Sequence, residues 1–303
     1  MFQRVGTGGS YDALYLIDAD ARRTLIALDT VESLVLRPSV SPSGDAVVWL
    51  RWTFPNAGSA YDVHTTDLSG ADPARRVSFL GNAEGPPAWT PDGSAVVLLV
   101  EEGLAPPNRW GLYRHVLATE VTELLLTFAL DTGQAIRCPN VTSLSFSKVS
   151  VSVQGGLAYL CAGDIWGADT PADTLGVLEQ RDSGPIYAAE WSPDGEQIAF
   201  IEVVHDVGNV VSSSLKVHDR ATGVARLVAT VPGSGSGLWH LTTLVSLCWL
   251  PGGTHIAFSA PRTGATSGGI MRSSVFVVGA DGTGLVQVTT AADVFDHSVS
   301  CTR

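Results

Sequence analysis

The sequence predicts an all-β protein: a six-bladed β-propeller of four-stranded antiparallel blades that occupies residues 1–303 as a single domain. A turn motif of the type Trp-Ser-Pro-Asp-Gly recurs along the chain, and a β-type repeat of about 50 residues is typical of propellers. Each motif precedes a short apolar run, as expected of a strand buried on both faces. The two chain ends carry complementary parts of one further unit, so joining them closes the ring.

The turn motif is complete in WSPDGEQIAF, recognisable in two further stretches and looser in a fourth: residues 191–200, 89–98, 249–258 and 39–49. The motif prolines, Pro42, Pro91, Pro193 and Pro251, are separated by 49, 102 and 58 residues. The middle interval spans two units, which predicts a degenerate unit; residues 145–163, with a Gly-Gly turn after Gln154, fit it. Within the motif, Pro presets φ, Asp caps the turn and Gly accepts a positive φ.

The second half of each unit is a third strand, a Gly-containing turn and an outer strand, clearest at 214–230 and repeated at 60–79 and 274–290. Residues 13–28 match the third and fourth strands of a blade whose first strand is absent at the N-terminus. Residues 295–303 match the lead-in to a first strand, which predicts that the two ends share a blade. A ring of five blades remains the alternative, because the unit between Gly155 and Trp191 is short for four strands.

The composition of the chain excludes some classes of binding partner. The net charge is −12, and Lys148 and Lys216 are the only lysines, so nucleic acid and anionic membranes are poor partners. No apolar run approaches the length of a membrane span and no apolar leader follows Met1, so we expect no membrane insertion. The cysteines at 138, 161, 248 and 301 have no CxxC spacing, which disfavours zinc. Buried thiols are expected, and the alternative is a channel-side pair of Cys248 and Cys301, which flank the first strands of consecutive units.

The repeats at 191–200, 89–98 and 249–258 resemble the TolB-type, WD40-like (PD40) propeller family, whose hallmark is this turn followed by an Ile-Ala-Phe-like strand. The resemblance covers nearly the whole chain and implies a bacterial protein in a periplasmic or extracytoplasmic location. It leaves the function open, because one repeat serves many roles. We find no stretch for the smaller α/β domain of TolB-type proteins, and no G-x-S-x-G elbow of the propeller-bearing peptidases.

The connectivity of a four-stranded meander separates the two ends of the ring. The first and third turns of every blade share one end, the turn end, where short regular turns indicate a structural role. The second turns and the inter-blade links share the other, the long-loop end. Long and unequal segments there favour binding, since variable loops on a rigid scaffold commonly form binding sites; these segments are 51–59, 101–110, 162–173, 203–211, 231–243 and 261–272.

These segments repeatedly place an aromatic residue or His beside a charge, as ligand pockets and interface hot spots require. The predicted contact residues for a ligand or partner are Arg51, Trp52, Arg109, Trp110, Asp164, Trp166, His205, Asp206, Trp239, His240, Arg262 and Arg272. In contrast, Trp89, Trp191 and Trp249 are interpreted as core residues of the repeat. The strand histidines, His64, His115 and His218, are interpreted as covering a strand face.

No nucleophile–His pairing, D-x-D-x-D loop or cofactor motif is present, so the sequence predicts no catalytic residue, metal or cofactor. We therefore expect a non-catalytic binding or protein-interaction propeller, with a protein partner or small molecule at the long-loop end around the central channel. The alternative is a propeller enzyme, a lyase or hydrolase acting on carbohydrate, with its site at the channel mouth on the same end. A third hypothesis is that the chain is part of a longer protein. The oligomeric state is not indicated.

Overall fold

The computed structural model describes a set of backbone ranges that carries nearly all the predicted strands: 2–5, 13–17, 23–28, 33–53, 60–68, 74–77, 82–83, 86–102, 109–129, 149–161, 163–168, 176–180, 182–206, 209–233, 245–261, 273–289 and 296–302. Within these ranges every regular element is a strand. In chain order the strands are β1 (Phe2–Val5), β2 (Ala13–Ile17), β3 (Arg23–Leu28), β4 (Ser33–Val40), β5 (Ala46–Thr53), β6 (Ala60–Asp67), β7 (Arg75–Val77), β8 (Asn82–Ala83), β9 (Ala88–Trp89), β10 (Ala95–Glu102), β11 (Arg109–Val116), β12 (Val121–Ala129), β13 (Ser150–Val151), β14 (Leu157–Cys161), β15 (Asp164–Ala168), β16 (Gly176–Glu179), β17 (Ile186–Trp191), β18 (Gln197–Asp206), β19 (Asn209–Asp219), β20 (Val224–Pro232), β21 (Ser246–Trp249), β22 (His255–Pro261), β23 (Ser273–Gly279), β24 (Val286–Gln287) and β25 (Asp296–Ser298).

The described strands form six antiparallel sheets. Sheet 1 has the order β25-β1-β2-β3, sheet 2 is β4 to β7, and sheet 3 holds β8 to β12. Sheets 4, 5 and 6 are β13 to β16, β17 to β20 and β21 to β24, each in sequence order. The predicted propeller of four-stranded antiparallel blades is confirmed. The two chain ends do share sheet 1, where Phe2 is paired with Ser298.

Sheets 3 and 4 depart from the regular pattern for visible reasons. In sheet 3, β8 and β9 both pair with β10, so they are two parts of one interrupted inner strand. Pro86 and Pro87 precede β9 and lack the N–H groups that would continue the ladder. In sheet 4, only Ala162 and Gly163 separate β14 from β15. This tight connection explains how four strands fit into the unit that the sequence left unassigned.

Five turns between first and second strands share one geometry. In each, the N–H of the fourth turn residue donates to the carbonyl of the first, at 2.9–3.0 Å: Gly44 to Ser41, Gly93 to Thr90, Gly155 to Ser152, Gly195 to Ser192 and Gly253 to Leu250. All five glycines have a positive φ between 67° and 83°, which a side chain would disfavour. The turn at Ser152–Gly155 confirms the predicted degenerate unit.

The innermost strands meet through a recurring junction contact. At each junction, one contact residue stands immediately before the turn of its own sheet. Its partner belongs to the previous sheet and stands two positions before the turn of that sheet. Trp89 Nε1 donates to Ser39 O at 2.9 Å, and Trp249 Nε1 donates to Glu190 O at 3.1 Å. At two other junctions a backbone N–H donates to a serine hydroxyl instead: Trp191 to Ser150 Oγ at 3.0 Å and Val40 to Ser300 Oγ at 3.0 Å.

A disulfide occupies the same position between sheets 6 and 1. Cys248 and Cys301 are bonded, with their Cα atoms 5.6 Å apart. The expectation of buried thiols was therefore wrong for this pair. The reason is that repeat geometry brings the two positions together although 53 residues separate them in sequence. Cys138 and the side chain of Cys161 lie outside the described part of the structure.

The hydrophobic core lies between the sheets. Strands β10 and β18 are apolar on both faces and pack against the sheets on either side. Trp89, Trp191 and Trp249 are buried to 6%, 1% and 2% exposure, which confirms their assignment as core residues. Because each apolar sheet is covered by the next, the scaffold that carries the two ends of the ring is rigid.

Candidate functional site

Strands reach further towards the long-loop end than the sequence indicated, so several predicted loop residues lie in hairpins. Arg51 and Trp52 lie in β5, and Arg109 and Trp110 begin β11. His205 and Asp206 end β18, where they pair with Val210 and Asn209 across a connection of two residues. Cross-strand hydrogen bonding thus shortens these connections.

Asp164 and Trp166 lie in β15 rather than in a loop. Trp166 is partly buried and packs against the apolar cluster that contains Leu157 and Tyr159. The placement of this tryptophan in a loop was therefore wrong, because the connection before β15 is a tight turn. Its role as a contact residue is not tested by this placement.

Most of the remaining predicted site residues, or their side chains, lie outside the part of the chain that the structure describes. Trp239, His240, Arg262 and Arg272 lie outside the described residues, as do the side chains of Trp52, Arg109, Trp110, His205 and Asp206. Arg51, Asp164 and Trp166 are the predicted site residues whose side chains are described. Arg51 lies in sheet 2, whereas Asp164 and Trp166 lie together in sheet 4. Their proposed binding role stays a prediction.

One face of sheet 2 assembles a polar group around Arg51. Trp49 pairs with His64 and Arg51 pairs with Asp62 across β5 and β6, and His64 pairs with Arg76 across β6 and β7. Directly paired residues of antiparallel strands point to the same face. The opposite face of the sheet, with Val48 and Leu50, packs on sheet 3. The polar face is therefore turned towards sheet 1, whose β3 lies beside β4.

The contacts within this polar face are well defined. The rings of Trp49 and His64 stack, with centroids 5.8 Å apart and planes at 21°. Asp62 pairs with Arg76 at 2.6 Å. Burial lowers the pKa of His64 below its ordinary value, and the positive charge of Arg51 lowers it further. The imidazole is therefore neutral at pH 7, and the cations on this face are the two arginines.

Two hydrogen-bond donors on this face are buried without an acceptor among the described residues: Trp49 Nε1 and Arg51 Nε. Trp49 has 0% of its surface exposed. Arg51 was expected as a site residue, whereas Trp49, Asp62 and Arg76 were not. The available signal was the pattern Trp-x-Arg in β5 opposite Asp-x-His in β6, which places polar residues on one face of otherwise apolar strands.

A second polar cluster anchors the link between sheets 4 and 5. Glu202 Oε1 accepts the backbone N–H groups of Asp182, Ser183 and Gly184 at 2.6–2.9 Å. Its Oε2 lies 2.6 Å from Lys216 Nζ, which also contacts Asp182 Oδ2 at 2.6 Å. Burial raises the pKa of Glu202, but the hydrogen bonds from Lys216 and the backbone outweigh it, so the net pKa is lowered. An acid inside an apolar strand was the sequence signal.

The cluster around Glu202 is structural. Glu202 is 0% exposed, and its oxygens are occupied by donors of the chain itself, so it leaves no place for a ligand. Beside it, His218 Nδ1 contacts Glu179 Oε2 at 2.6 Å across the same inter-sheet boundary. In sheet 3, His115 Nδ1 lies 2.9 Å from Thr122 Oγ1. These positions fit the interpretation of His218 and His115 as strand-face residues.

Two cavities are relevant to binding. One of about 30 Å³ lies on the axis, lined by inner-strand residues that include Ser39, Ser150 and Glu190. Such a volume has room for water alone, since one water needs roughly 10–15 Å³. The other, of about 580 Å³, opens between sheets 2 and 3 at the turn end, lined by residues that include Asp67 and Leu117. The turn end thus carries a groove that the sequence did not predict.

The described part of the chain holds no group of three or more His, Cys, Asp or Glu residues arranged for a metal ion. It also contains no helix that is long and apolar enough to cross a membrane.

Comparison with known proteins finds similar folds among solved structures. A scan against family models and a search of curated proteins each find no match. Among solved structures, TolB from Acinetobacter baumannii superposes with a TM-score of 0.60 at 14% identity, over 89% of this chain and 58% of that chain. This chain thus spans little more than half the length of that TolB chain.

Two further solved structures have a similar fold. A chain of the nidogen/laminin complex gives a TM-score of 0.62 at 10% identity, covering 99% of this chain and 96% of that one. An oligogalacturonate lyase in complex with manganese gives 0.56 at 12% identity, covering 93% and 71%. At these identities the likeness shows the fold alone. The protein is a β-propeller whose fold is similar to that of TolB.

Proposed function

We propose that the six sheets are the blades of one closed six-bladed ring. Each sheet packs against the next in sequence, and β23 of sheet 6 contacts β25 of sheet 1. The junction contact, with hydrogen bonds at four boundaries and a disulfide at a fifth, supports the same arrangement. A closed ring also covers the faces of the first and last sheets, which an open array would expose.

We propose further that this ring is a non-catalytic binding propeller, which takes a small molecule or a protein partner at the long-loop end. The observation that carries this proposal is Arg51, a partly buried residue in the long-loop half of β5 whose Nε has no acceptor among the described residues. A buried donor without an acceptor is costly and is normally satisfied by a partner, an ion or water. The disulfide supports an extracytoplasmic location, because such bonds persist in oxidising compartments.

Native mass spectrometry of freshly purified protein tests this proposal. We expect an additional mass that survives gentle ionisation and disappears on denaturation in the wild type, and a weaker or absent one in Arg51→Met. Thr66→Trp, which fills the groove at the turn end, is the matched control and should retain the mass. Loss of the mass in Thr66→Trp but not in Arg51→Met would move the site to the turn end and refute the proposal.

An enzyme is the second candidate, favoured by the presence of Arg51 and a neutral His64 on the same face of sheet 2. An arginine can hold a substrate carboxylate while a neutral imidazole accepts a proton. One of the neighbours is an oligogalacturonate lyase, so oligogalacturonate is the first substrate to test. Formation of unsaturated products, followed by ultraviolet absorbance, should then be abolished in His64→Gln. Turnover that persists in His64→Gln would exclude this site.

A further inference from the structure

Trp49 and Arg51 form a pair of donors directed from one strand. They are two residues apart in β5 and share its face, so their Cα atoms are separated by about 7 Å along the strand. Trp49 Nε1 and Arg51 Nε are both buried, and neither meets an acceptor among the described residues. Both groups can only donate hydrogen bonds. Whatever satisfies them must therefore present acceptor atoms.

The charges on this face favour an anion over a neutral acceptor. Arg51 and Arg76 are its cations, and Asp62 is already engaged by Arg76 at 2.6 Å. His64 is stacked on Trp49 and adds no negative charge. The planar guanidinium of arginine matches a carboxylate, whose two oxygens accept from parallel N–H donors. Because Trp49 is fully buried, only a small group can reach its Nε1.

We propose that this face of sheet 2 binds the carboxylate group of a small-molecule ligand through Trp49 Nε1 and Arg51. The inference rests on the proposed binding function and names the chemistry of its ligand. His64 keeps the indole in place through the ring stack, and the Asp62–Arg76 pair borders the site. One strand holds both residues, so the backbone fixes their spacing.

Trp191 supplies a matched control within the same chain. Its Nε1 is also buried without an acceptor among the described residues. It lies, however, in the apolar cluster between sheets 4 and 5, with Ile198 and Phe200. An orphan indole N–H alone, without a neighbouring guanidinium, is not expected to recruit an anion. Trp191→Phe therefore removes the same group as Trp49→Phe without touching the proposed site.

The test is a titration of the full chain with sodium acetate at constant ionic strength, followed by thermal unfolding and isothermal calorimetry. Acetamide, which has the same shape and no charge, is the ligand control. We expect saturable stabilisation by acetate and not by acetamide. Trp49→Phe and Arg51→Met should each weaken acetate binding about tenfold or more, whereas Trp191→Phe should bind as the wild type does. Urea unfolding of each variant checks that the fold is retained.

Three outcomes would overturn this inference: equal effects of acetate and acetamide, a response without saturation, or wild-type acetate affinity in both variants. Binding of an acidic peptide but not of acetate would overturn the small-molecule source, because the carboxylate would then belong to a protein partner. If a mass retained in native spectra survives in Trp49→Phe and is lost on substitution of another residue at the long-loop end, the carboxylate site fails while the binding function stands.

Discussion

Removing the disulfide between Cys248 and Cys301 is expected to lower the free energy of unfolding by about 4 kcal/mol. The bond closes a loop of 53 residues. In the chain-entropy description, a loop of that length removes about 14 cal/mol/K from the unfolded ensemble, which is about 4 kcal/mol at 25 °C. The perturbation is the double variant Cys248→Ala, Cys301→Ser. It leaves the pairing of β25 with β1 in place.

Urea unfolding followed by tryptophan fluorescence measures this cost. With a slope of about 3 kcal/mol per molar urea, the midpoint should fall by roughly 1 M. The matched variant is Ser300→Ala, which removes the equivalent junction contact to Val40 and should cost only about 1–3 kcal/mol. An unchanged midpoint in the double variant, with the bond shown intact in the wild type by thiol titration, would refute the reasoning.

Three other perturbations test separate features. Gly223 has a φ of 68°, and a Cβ added there would meet open space. Gly223→Ala should therefore lower the free energy of unfolding by about 1 kcal/mol through backbone strain alone. Glu120 has a φ of 56°, so Glu120→Gly should raise the free energy of unfolding in urea by up to about 1 kcal/mol. Glu202→Gln should cost about 3 kcal/mol because it removes the fully buried carboxylate that pairs with Lys216, whose other carboxylate partner, Asp182, is exposed; a midpoint equal to the wild type would contradict this. Burial lowers the pKa values of His64 and His115. As the pH falls, these two histidines are therefore protonated in the unfolded chain before they are protonated in the folded one. Thermal stability should therefore be full above about pH 6.5 and fall below it, and a melting temperature that is flat from pH 7 to 5 would be inconsistent with their burial.

The repeat carried most of the fold prediction. Pro42, Pro91, Pro193 and Pro251 fixed the spacing, and the strand halves followed from alternating turns and apolar runs. The shared sheet of the two ends was predicted because residues 13–28 and 295–303 each matched a different part of one unit. Turn chemistry and periodicity depend on short stretches of sequence, so these features could be predicted from the sequence alone.

The site was less predictable because its geometry depends on pairing between distant strands. Trp166 was assigned to a loop since nothing local showed that two residues suffice to join β14 and β15. The pairing of Cys248 with Cys301 was predicted only as the alternative to buried thiols, because the distance between the two positions depends on how consecutive sheets pack. The polar face around Arg51 depends on the register of β5 with β6, which single-sequence patterns leave undefined.

The sharing of sheet 1 by both ends of the chain has a consequence for its connectivity. Because β25 pairs with β1, the point at which the polypeptide starts is arbitrary with respect to the packing. A circular permutant, with residues 1 and 303 joined by a short Gly/Ser segment and new ends opened between two other sheets, would keep all the inner-strand contacts. Such permutants are tolerated where the termini lie close together. The ring could then be displayed with its ends beside any chosen blade, which allows a tether or reporter to be placed away from Arg51.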